Sequence, residues 1–501
     1  MATQSAPASE QSSSLMAVMT PDRAGQRHFW GNLQGASLPL AIAEAAQKYS
    51  GPTLVIASDS LQALQLEEEI AYFSGSLPVM VFPDREVLPY DVFSPHQDIT
   101  SQRIATLTQL QQQKSGILII PATTLLHKLP PQSFFHGQSF ALDTGNTFDV
   151  ERSRKQLEEA GYQCVDTVYE HGEFAVRGAI VDIFPMGQAQ PFRIDLFDDE
   201  IDSLRTFDPE TQRTLEKVDS IRILPAREYP LNSTAIRTFK ARWFDFFEQN
   251  PNDCSIYMDI GQGIAPGGIE YYLPLFFTEE LGSFFDHLPP NTLVIHAADL
   301  EDKINNFRED TSARYESRRH NITQPILAPG ELFLSADQLF SQLNEYPRVQ
   351  WHNTSTPDHP LPDRAGAVAF DTSSISDVSV DSRSENPLAR LSAYLKEKSA
   401  NQIIFCAEST GRREALRELL SRIKITPTEL QNWGEFSSQQ AAASFFITVA
   451  PLSQGFEVGT LSLITENELF GQRIRQTRRQ KKQTTDIDLV IRDLSELKPG
   501  A

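Results

Sequence analysis

Short apolar runs alternate with amphipathic stretches along the first third of the chain. Residues 54–57, 79–82 and 117–120 are apolar runs, which predict buried strands. Residues 60–73 and 101–113 carry apolar side chains near helical spacing, which predicts two helices. Strands that alternate with helices of this length indicate a parallel sheet, so the chain is predicted to begin with an α/β domain.

The pattern changes near residue 140, where a predicted helix over 150–160 is followed by short extended segments. Those segments lie at 164–169, 175–184, 192–197, 204–207 and 218–224. Their close spacing and the turn at Asp198-Asp199-Glu200 predict an antiparallel, β-rich insert. A helix over 236–248 and a buried strand over 293–296 then predict that the first α/β domain resumes.

The remaining pattern predicts a linker and a second, smaller α/β unit. Residues 349–386 are rich in Ser, Asp, Pro and Asn and predict a linker with at most one short strand, at 367–370. The predicted segments are a disordered tail (1–24), domain 1 in two parts (25–139 and 227–348), domain 2 as the insert (140–226), the linker (349–386), domain 3 (387–470) and a basic linker (471–501). The predicted fold class is thus α/β: a degenerate helicase-like parallel-sheet domain with an inserted β-rich α+β domain, then a small separate α/β domain.

Composition narrows the class of protein. The 501 residues include 44 Lys and Arg against 66 Asp and Glu, a net charge of −22. This charge argues against a protein that coats nucleic acid, although a local basic patch stays possible. Cys164, Cys254 and Cys406 show no metal-ligand or disulfide spacing, and the chain has no apolar run of membrane-spanning length. We therefore expect a soluble, cytoplasmic protein without a metal site.

The candidate nucleotide site is degenerate. A phosphate-binding loop needs glycine-rich backbone amides followed by a Lys and a Ser or Thr. Before the first predicted helix the chain reads GNLQGASLP over 31–39, which lacks the Lys and ends in a proline without an N–H. We expect no ATP binding here. The acidic stretch from Asp198 to Asp202 imitates a Mg²⁺ motif, but the strand that follows it at once favours a hairpin turn.

Other candidate chemistry is weak. The glycine-rich stretch 261–268 is interrupted by Pro266 and predicts a loop. Glu170, His171 and Glu173 lie close together, but such a group is common at a strand end and does not by itself indicate a metal site. No nucleophilic triad can be argued from the scattered Ser, His and Asp residues, so no catalytic residue is predicted.

Residues 192–197 are more informative. With period two, Phe192, Ile194 and Leu196 face a core, while Arg193 and Phe197 lie on the opposite face. An Arg beside a large aromatic residue is typical of protein–protein anchors. A neighbouring element that covers Phe197 would explain the pattern equally well, and the pattern alone leaves both explanations open.

A basic run follows domain 3. It contains Arg473, Arg475, Arg478, Arg479, Lys481 and Lys482 without an intervening acid. The favoured interpretation is a solvated helical linker. A DNA contact and a contact with a partner's acidic surface are the alternatives.

Several motifs resemble those of the bacterial transcription-repair coupling factors, the Mfd family. They are LPYDVFSPHQD (88–98), EHGEF (170–174), RG (177–178), DIFP (182–185) and FDDEIDS (197–203). Some of them are shared with the excision-repair subunit UvrB, from which the SPHQD segment separates this chain. The similarity extends over the chain after about the first 25 residues.

The resemblance implies that the chain is the N-terminal part of this architecture. It would comprise a UvrB-like module and domain 3, with a polymerase-interaction domain, an ATP-driven translocase motor and a C-terminal domain expected after Ala501. ATP and Mg²⁺ would belong to the motor, so no cofactor is expected in this chain. RNA polymerase and double-stranded DNA would likewise be bound through those later domains. The short stretch between Asp91 and Ser101 leaves no room for the hairpin with which UvrB probes damaged DNA.

The resemblance also supplies site residues. In the family, domain 2 binds UvrA through positions that match Arg177, Arg193 and Phe197, which favours the binding-surface explanation of residues 192–197. The family's C-terminal domain is expected to cover this surface in the intact protein. The leading hypothesis is a non-catalytic, monomeric module that recruits UvrA and so couples stalled RNA polymerase to nucleotide excision repair. The alternative is a nucleotide-driven DNA helicase or nuclease that uses the first α/β domain, and a third possibility is a regulator that restrains the motor.

Overall fold

The computed structural model describes residues 15–110, 112–352, 360–381, 383–439 and 444–471. The basic residues Arg473, Arg475, Arg478 and Arg479, and with them almost all of the predicted linker 471–501, lie outside the described residues. Their predicted helical linker and possible DNA contact stay predictions.

Domain 1 begins with alternating strands and helices. They are β1 (Arg27–Gly31), α1 (Ser37–Lys48), β2 (Pro52–Ala57), α2 (Ser60–Ser74), β3 (Val79–Val81), α3 (Gln97–Leu110), β4 (Gly116–Pro121), a 3-10 helix (Ala122–Leu126) and α4 (Gln132–Gly137). Every residue of β2 and β4 is buried, which explains their continuous apolar sequences. Asp59 caps α2 by accepting a hydrogen bond from the N–H of Gln62 at 2.8 Å.

Domain 2 is inserted after α4. Its elements are β5 (Phe140–Asp143), α5 (Val150–Glu159), β6 (Gln163–Cys164), β7 (Glu173–Arg177), β8 (Ile180–Ile183), β9 (Phe192–Phe197), β10 (Glu200–Phe207), β11 (Thr214–Val218) and β12 (Ser220–Ile223). The main sheet has the order β11-β10-β9-β8-β7-β6 and is antiparallel except for the β6–β7 pair. β5 and β12 pair with each other at the two ends of the insert, so the insert leaves and returns at one place.

The chain then completes domain 1. The elements are α6 (Ser233–Phe246), a 3-10 helix (Pro251–Asp253), α7 (Ser255–Gly261), two further 3-10 helices (Ile269–Phe276 and Phe284–His287), β13 (Leu293–Ala297), α8 (Leu300–Arg318), α9 (Pro329–Leu332), α10 (Ala336–Leu343), β14 (Arg348–His352) and β15 (Ala367–Ala369). The seven-stranded sheet has the order β15-β1-β14-β13-β2-β4-β3, and its pairs are parallel. The predicted α/β fold class is confirmed.

Domain 3 has its own sheet. Its elements are β16 (Thr372–Ser373), α11 (Ala389–Glu397), β17 (Gln402–Ala407), α12 (Thr410–Ser421), β18 (Thr428–Leu430), α13 (Trp433–Gln439), β19 (Phe445–Val449), β20 (Phe456–Val458), β21 (Leu461–Thr465) and α14 (Glu466–Phe470). One side of the domain packs on α2: the rings of Trp433 and Phe73 lie 4.9 Å apart, and Phe446 and Leu463 join the same hydrophobic cluster as Ile70. Domain 3 is therefore held against domain 1 by a shared core.

The predicted linker over 349–386 is wrong at its start. β14 lies inside the domain 1 sheet between β1 and β13, and Val349 and Trp351 are buried there. Arg348, Gln350 and His352 alternate with them on the other face, so the sequence lacks the continuous apolar run of a central parallel strand. β15 and β16 also fall within the segment and pair with β1 and β20.

The predicted disordered tail over 1–24 is wrong for residues 15–24. Met16 and Val18 are buried in the same cluster as Trp30. The N–H of Leu15 donates to Glu44 Oε1 in α1 at 2.9 Å. Burial of these apolar side chains and the hydrogen bond to Glu44 thus order residues 15–24, which are mostly apolar (LMAVMTPDRA) and differ in this from the Ser- and Gln-rich residues before them.

Candidate protein-binding site

The sheet of domain 2 has two chemically different faces. Phe192, Ile194 and Leu196 of β9 are buried in a hydrophobic core that continues into domain 1. Arg193 and Phe197 lie on the opposite face, as the period-two pattern predicted. The shared core leaves this opposite face as the side on which a partner can approach.

A buried carboxylate organises the opposite face. Asp182 of β8 is the register partner of Arg193 and has no exposed surface. Arg193 Nε donates to Asp182 Oδ1 at 2.8 Å and Nη2 donates to Oδ2 at 2.9 Å, which is a bidentate pair. Arg177 of β7 donates from Nη2 to the same Oδ2. One carboxylate therefore fixes both of the predicted arginines.

Arg193 has further contacts that hold its guanidinium. Its Cζ lies 4.9 Å from the centroid of the Phe207 ring, and Nη1 is 3.4 Å from the carbonyl of Gln212 and from Thr214 Oγ1. The hydrogen bonds to Asp182 raise the pKa of Arg193 above its usual value, although burial opposes this. The Arg193 side chain is 18% exposed and that of Arg177 is 46% exposed, so Arg177 offers more of its guanidinium to a partner.

Phe197 is the large apolar residue of this face. It is 74% exposed, at the end of β9 and directly before the turn at Asp198-Asp199. Asp198 has a φ of +52°, and Glu200 pairs with Phe197 across the hairpin. Phe197 is four residues from Arg193, or about 13 Å along an extended strand. We call the surface formed by Arg177, Arg193 and Phe197 around Asp182 the docking face.

A buried ion pair lies in domain 1 next to the end of domain 2. Glu228, just after domain 2, accepts hydrogen bonds from Arg103 Nε at 2.5 Å and Arg85 Nη2 at 2.6 Å, and all three side chains are buried. Burial opposes the ionisation of Glu228, but Arg103 and Arg85 outweigh it and lower its pKa to about 2. This buried ion pair anchors the chain at the place where the insert returns to domain 1.

The other sequence motifs have structural partners. Asp198 and Asp199 form the predicted hairpin turn between β9 and β10. His171 bonds to Asp98 through Nδ1 at 2.7 Å and to the carbonyl of Gln188 through Nε2 at 2.8 Å. Within the described part of the chain, no group of three or more His, Cys, Asp or Glu side chains is placed to hold a metal ion. Pro266, Gly267 and Gly268 lie in a loop, as predicted.

Domain 3 packs against the degenerate phosphate loop (residues 31–39) and accepts hydrogen bonds from it. The N–H of Ala36 donates to the carbonyl of Gln454 at 2.9 Å, and the N–H of Gln34 donates to Thr372 Oγ1 at 3.2 Å. Backbone N–H groups at this position hold phosphates in nucleotide-binding proteins. Here at least two of them are already bonded to another domain.

The same loop approaches domain 3 too closely for a side chain at Gly35. A Cβ at this residue would lie 2.7 Å from the carbonyl oxygen of Gln454 and closer still to that of Gly455. Gly35 also has a φ of +51°, which favours glycine. The loop is therefore shaped to receive domain 3.

Sequence reasoning missed two features of this region of the molecule. The first is the role of Asp182, which sequence reasoning recognised only as part of the DIFP motif. Its position on the same sheet face as Arg193 indicates that it can bind the arginines. The second is Arg205, which is paired in register with Arg193, lies 3.8 Å from Asp195 and adds a third cation to the same face.

No helix among the described residues is long and apolar enough to cross a membrane.

Comparison with known proteins identifies both smaller domains. Residues 140–229 match the UvrB interaction domain, and residues 394–469 match the MFD D3 domain. The transcription-repair-coupling factor of Escherichia coli is 42% identical over 96% of this chain, and that of Haemophilus influenzae is 37% identical over 96%. The factor of Staphylococcus aureus is 26% identical over 91%. The chain spans 41%, 41% and 39% of these relatives, respectively. The predicted resemblance to the Mfd family is confirmed.

Proposed function

We propose that this chain, which is similar to the N-terminal part of the transcription-repair-coupling factors over 96% of its length, recruits UvrA through its docking face. The observation that carries the proposal is the exposure of Phe197 on the same sheet face as two arginines that a buried Asp182 holds in place. Exposed aromatic and arginine side chains on a rigid support are typical anchors of protein interfaces.

Each side chain has a distinct role in this proposal. Asp182 holds the Nε and Nη2 atoms of Arg193 and the Nη2 atom of Arg177. The exposed N–H groups of Arg177 are the main donors to carboxylates of UvrA, and the exposed part of Arg193 adds to them. Phe197 loses its exposed surface to an apolar pocket on UvrA, which supplies the hydrophobic part of the affinity. Because the arginines are already ordered, their immobilisation adds little to the entropic cost of binding.

The chemistry of the whole protein is proposed to reside elsewhere. We assign the release of stalled RNA polymerase by ATP-dependent DNA translocation, with the binding of polymerase, duplex DNA, ATP and Mg²⁺, to regions of the longer relatives that this chain does not span. The occupied phosphate loop supports a non-catalytic role for domain 1, since Ala36 and Gln34 donate to domain 3. A C-terminal domain that covers Phe197 would compete with UvrA for the docking face.

Calorimetric titration of the full chain with UvrA tests the proposal. Phe197→Ala and Arg193→Ala should each weaken binding about tenfold, because each removes an interface anchor. Phe244→Ala is the matched control, since Phe244 is 64% exposed but lies on α6 of domain 1. Equal affinities for the wild-type chain, Phe197→Ala and Arg193→Ala, with all three folded, would contradict the proposal.

A further inference from the structure

Three arginines gather at the β1–β14 end of the domain 1 sheet. Arg27 and Arg348 are register partners on adjacent strands, and Arg364 lies in the loop before β15. The guanidinium carbons of Arg27 and Arg364 lie 5.7 and 4.1 Å from the centroid of the Phe29 ring. In the ranges that the structure describes, no carboxylate forms an ion pair with any of the three.

Two of these arginines donate to neutral amides. Arg27 Nη1 donates to Gln350 Oε1 at 3.3 Å, and Arg348 Nη2 donates to Asn344 Oδ1. Arg348 is only 4% exposed, and its buried Nε has no hydrogen-bond partner among the described residues. A buried, charged donor without an acceptor is costly, and native proteins rarely retain one without a reason.

The electrostatic field of the cluster acts on its neighbours. Burial first and Arg27 second lower the pKa of Arg348 to about 10. Burial, with Arg348 and Arg27 in addition, lowers the pKa of His296 to about 4, against the bond that its Nδ1 makes to the carbonyl of Ala297. These cations therefore raise each other's free energy, and a bound anion would relieve that repulsion.

We propose that Arg27, Arg348 and Arg364 form a binding site for a phosphate group. Guanidinium groups form bidentate hydrogen bonds with phosphate, and three of them need more acceptor oxygens than one carboxylate provides. Arg27 and Arg364 are exposed, while Arg348, the register partner of Arg27, is buried and its Nε has no hydrogen-bond partner among the described residues. The site lies in domain 1 and does not depend on the docking face.

The size and setting of the cluster favour a compact ligand. Arg27 and Arg364 both lie against the single ring of Phe29, so they suit one or two phosphates and not a long strand. Phe29 is 2% exposed and offers no surface on which a base could stack. The net charge of −22 repels the remainder of a nucleic acid. Free phosphates and the terminal phosphate of a nucleic acid share the chemistry that the site selects.

Pyrophosphate is the probe for the first test. The full chain is titrated with it in a calorimeter at low salt, and saturable one-to-one binding is expected. The double variant Arg27→Gln with Arg364→Gln should lower the affinity about tenfold or more, because two charge-assisted contacts are lost. Both residues are exposed, so this variant retains the fold, and circular dichroism checks that it does.

Arg348→Gln and Arg237→Gln complete the test. Arg348→Gln should also weaken binding, whereas Arg237→Gln should not, since Arg237 is an exposed arginine on α6 away from the cluster. Absence of saturable binding, or an equal loss in Arg237→Gln, overturns the proposal. A 5′-phosphorylated oligonucleotide that competes with pyrophosphate, when its unphosphorylated form does not, identifies a nucleic acid end as the source. Competition by neither form identifies a free phosphate.

Discussion

The phosphate loop and the docking face both present ligand-binding groups, but they differ in what covers them. In the loop, the N–H groups of Ala36 and Gln34 are bonded to domain 3. On the docking face, Asp182 accepts from Nε and Nη2 of Arg193 and from Nη2 of Arg177, and Phe197 is 74% exposed. The N–H groups of the loop have their hydrogen-bond partners within the chain, whereas the docking face keeps exposed side chains that a partner can contact.

This difference shows why a residue pattern alone does not define a site. Both regions contain the donors that could bind an anion or a carboxylate. In the loop those donors stabilise the contact between domains 1 and 3, so they contribute to folding. On the docking face a single buried carboxylate orders both arginines, and the 46% exposed side chain of Arg177 keeps N–H groups available for a partner.

The largest expected effect concerns the closed loop. Gly35→Ala should destabilise the chain by about 4 kcal/mol, because the new Cβ overlaps two carbonyl oxygens and the left-handed backbone disfavours alanine. Denaturant unfolding measures this change. Gly459→Ala is the control, since Gly459 has a φ of +55°, close to the +51° of Gly35, but a Cβ there would have no atom within 4 Å. Equal destabilisation of the two variants would show that domain 3 does not close the loop.

Acid should weaken the buried ion pair of Glu228 with Arg85 and Arg103. Because the folded-state pKa of Glu228 is lowered to about 2 from 4.5, its contribution to stability is present above pH 4.5 and is lost as the pH falls toward 2. The shift corresponds to about 3 kcal/mol. The urea concentration at the unfolding midpoint of the wild-type chain should therefore decrease as the pH is lowered from about 5 to about 2. The midpoint of Glu228→Gln should depend less steeply on pH. The same pH dependence of stability in both proteins would show that Glu228 does not contribute to the loss of stability in acid.

A smaller effect is expected from the carboxylate beneath the docking face. Asp182→Ala should destabilise the chain by about 2 kcal/mol, less than a fully buried pair, because the Arg177 side chain is 46% exposed to water. It should also weaken UvrA binding, since both arginines lose their fixed orientation. Asp195→Ala, which removes the more distant carboxylate near Arg205, should change the UvrA affinity less. The reverse order of the two variants would contradict the role of Asp182.

Much of the fold follows from local pattern. The apolar runs of β2 and β4, the helix that Asp59 caps and the alternating face of β9 were all predictable from sequence. The predicted extended segment over 175–184 is two strands, because Gly178 takes a φ of +63° and turns the chain. That glycine was a usable signal.

Long-range contacts were not predictable in the same way. Nothing local to Arg348–His352 marks it as a central strand, because its polar residues alternate with Val349 and Trp351. The contact of Gly35 with Gln454 joins residues far apart in sequence. The absence of the Lys predicted that the loop is degenerate, but only the fold shows that another domain fills it.

Site-specific photocrosslinking tests the central claim most directly. A photoreactive phenylalanine analogue is placed at Phe197 in one protein and at Phe244, which is 64% exposed in domain 1, in another. Both positions are phenylalanine already, so neither protein should lose its fold. On irradiation with UvrA, we predict a covalent adduct from position 197 and none from position 244. An adduct from position 244 alone, or from neither position while UvrA is bound, would contradict the assignment of the docking face.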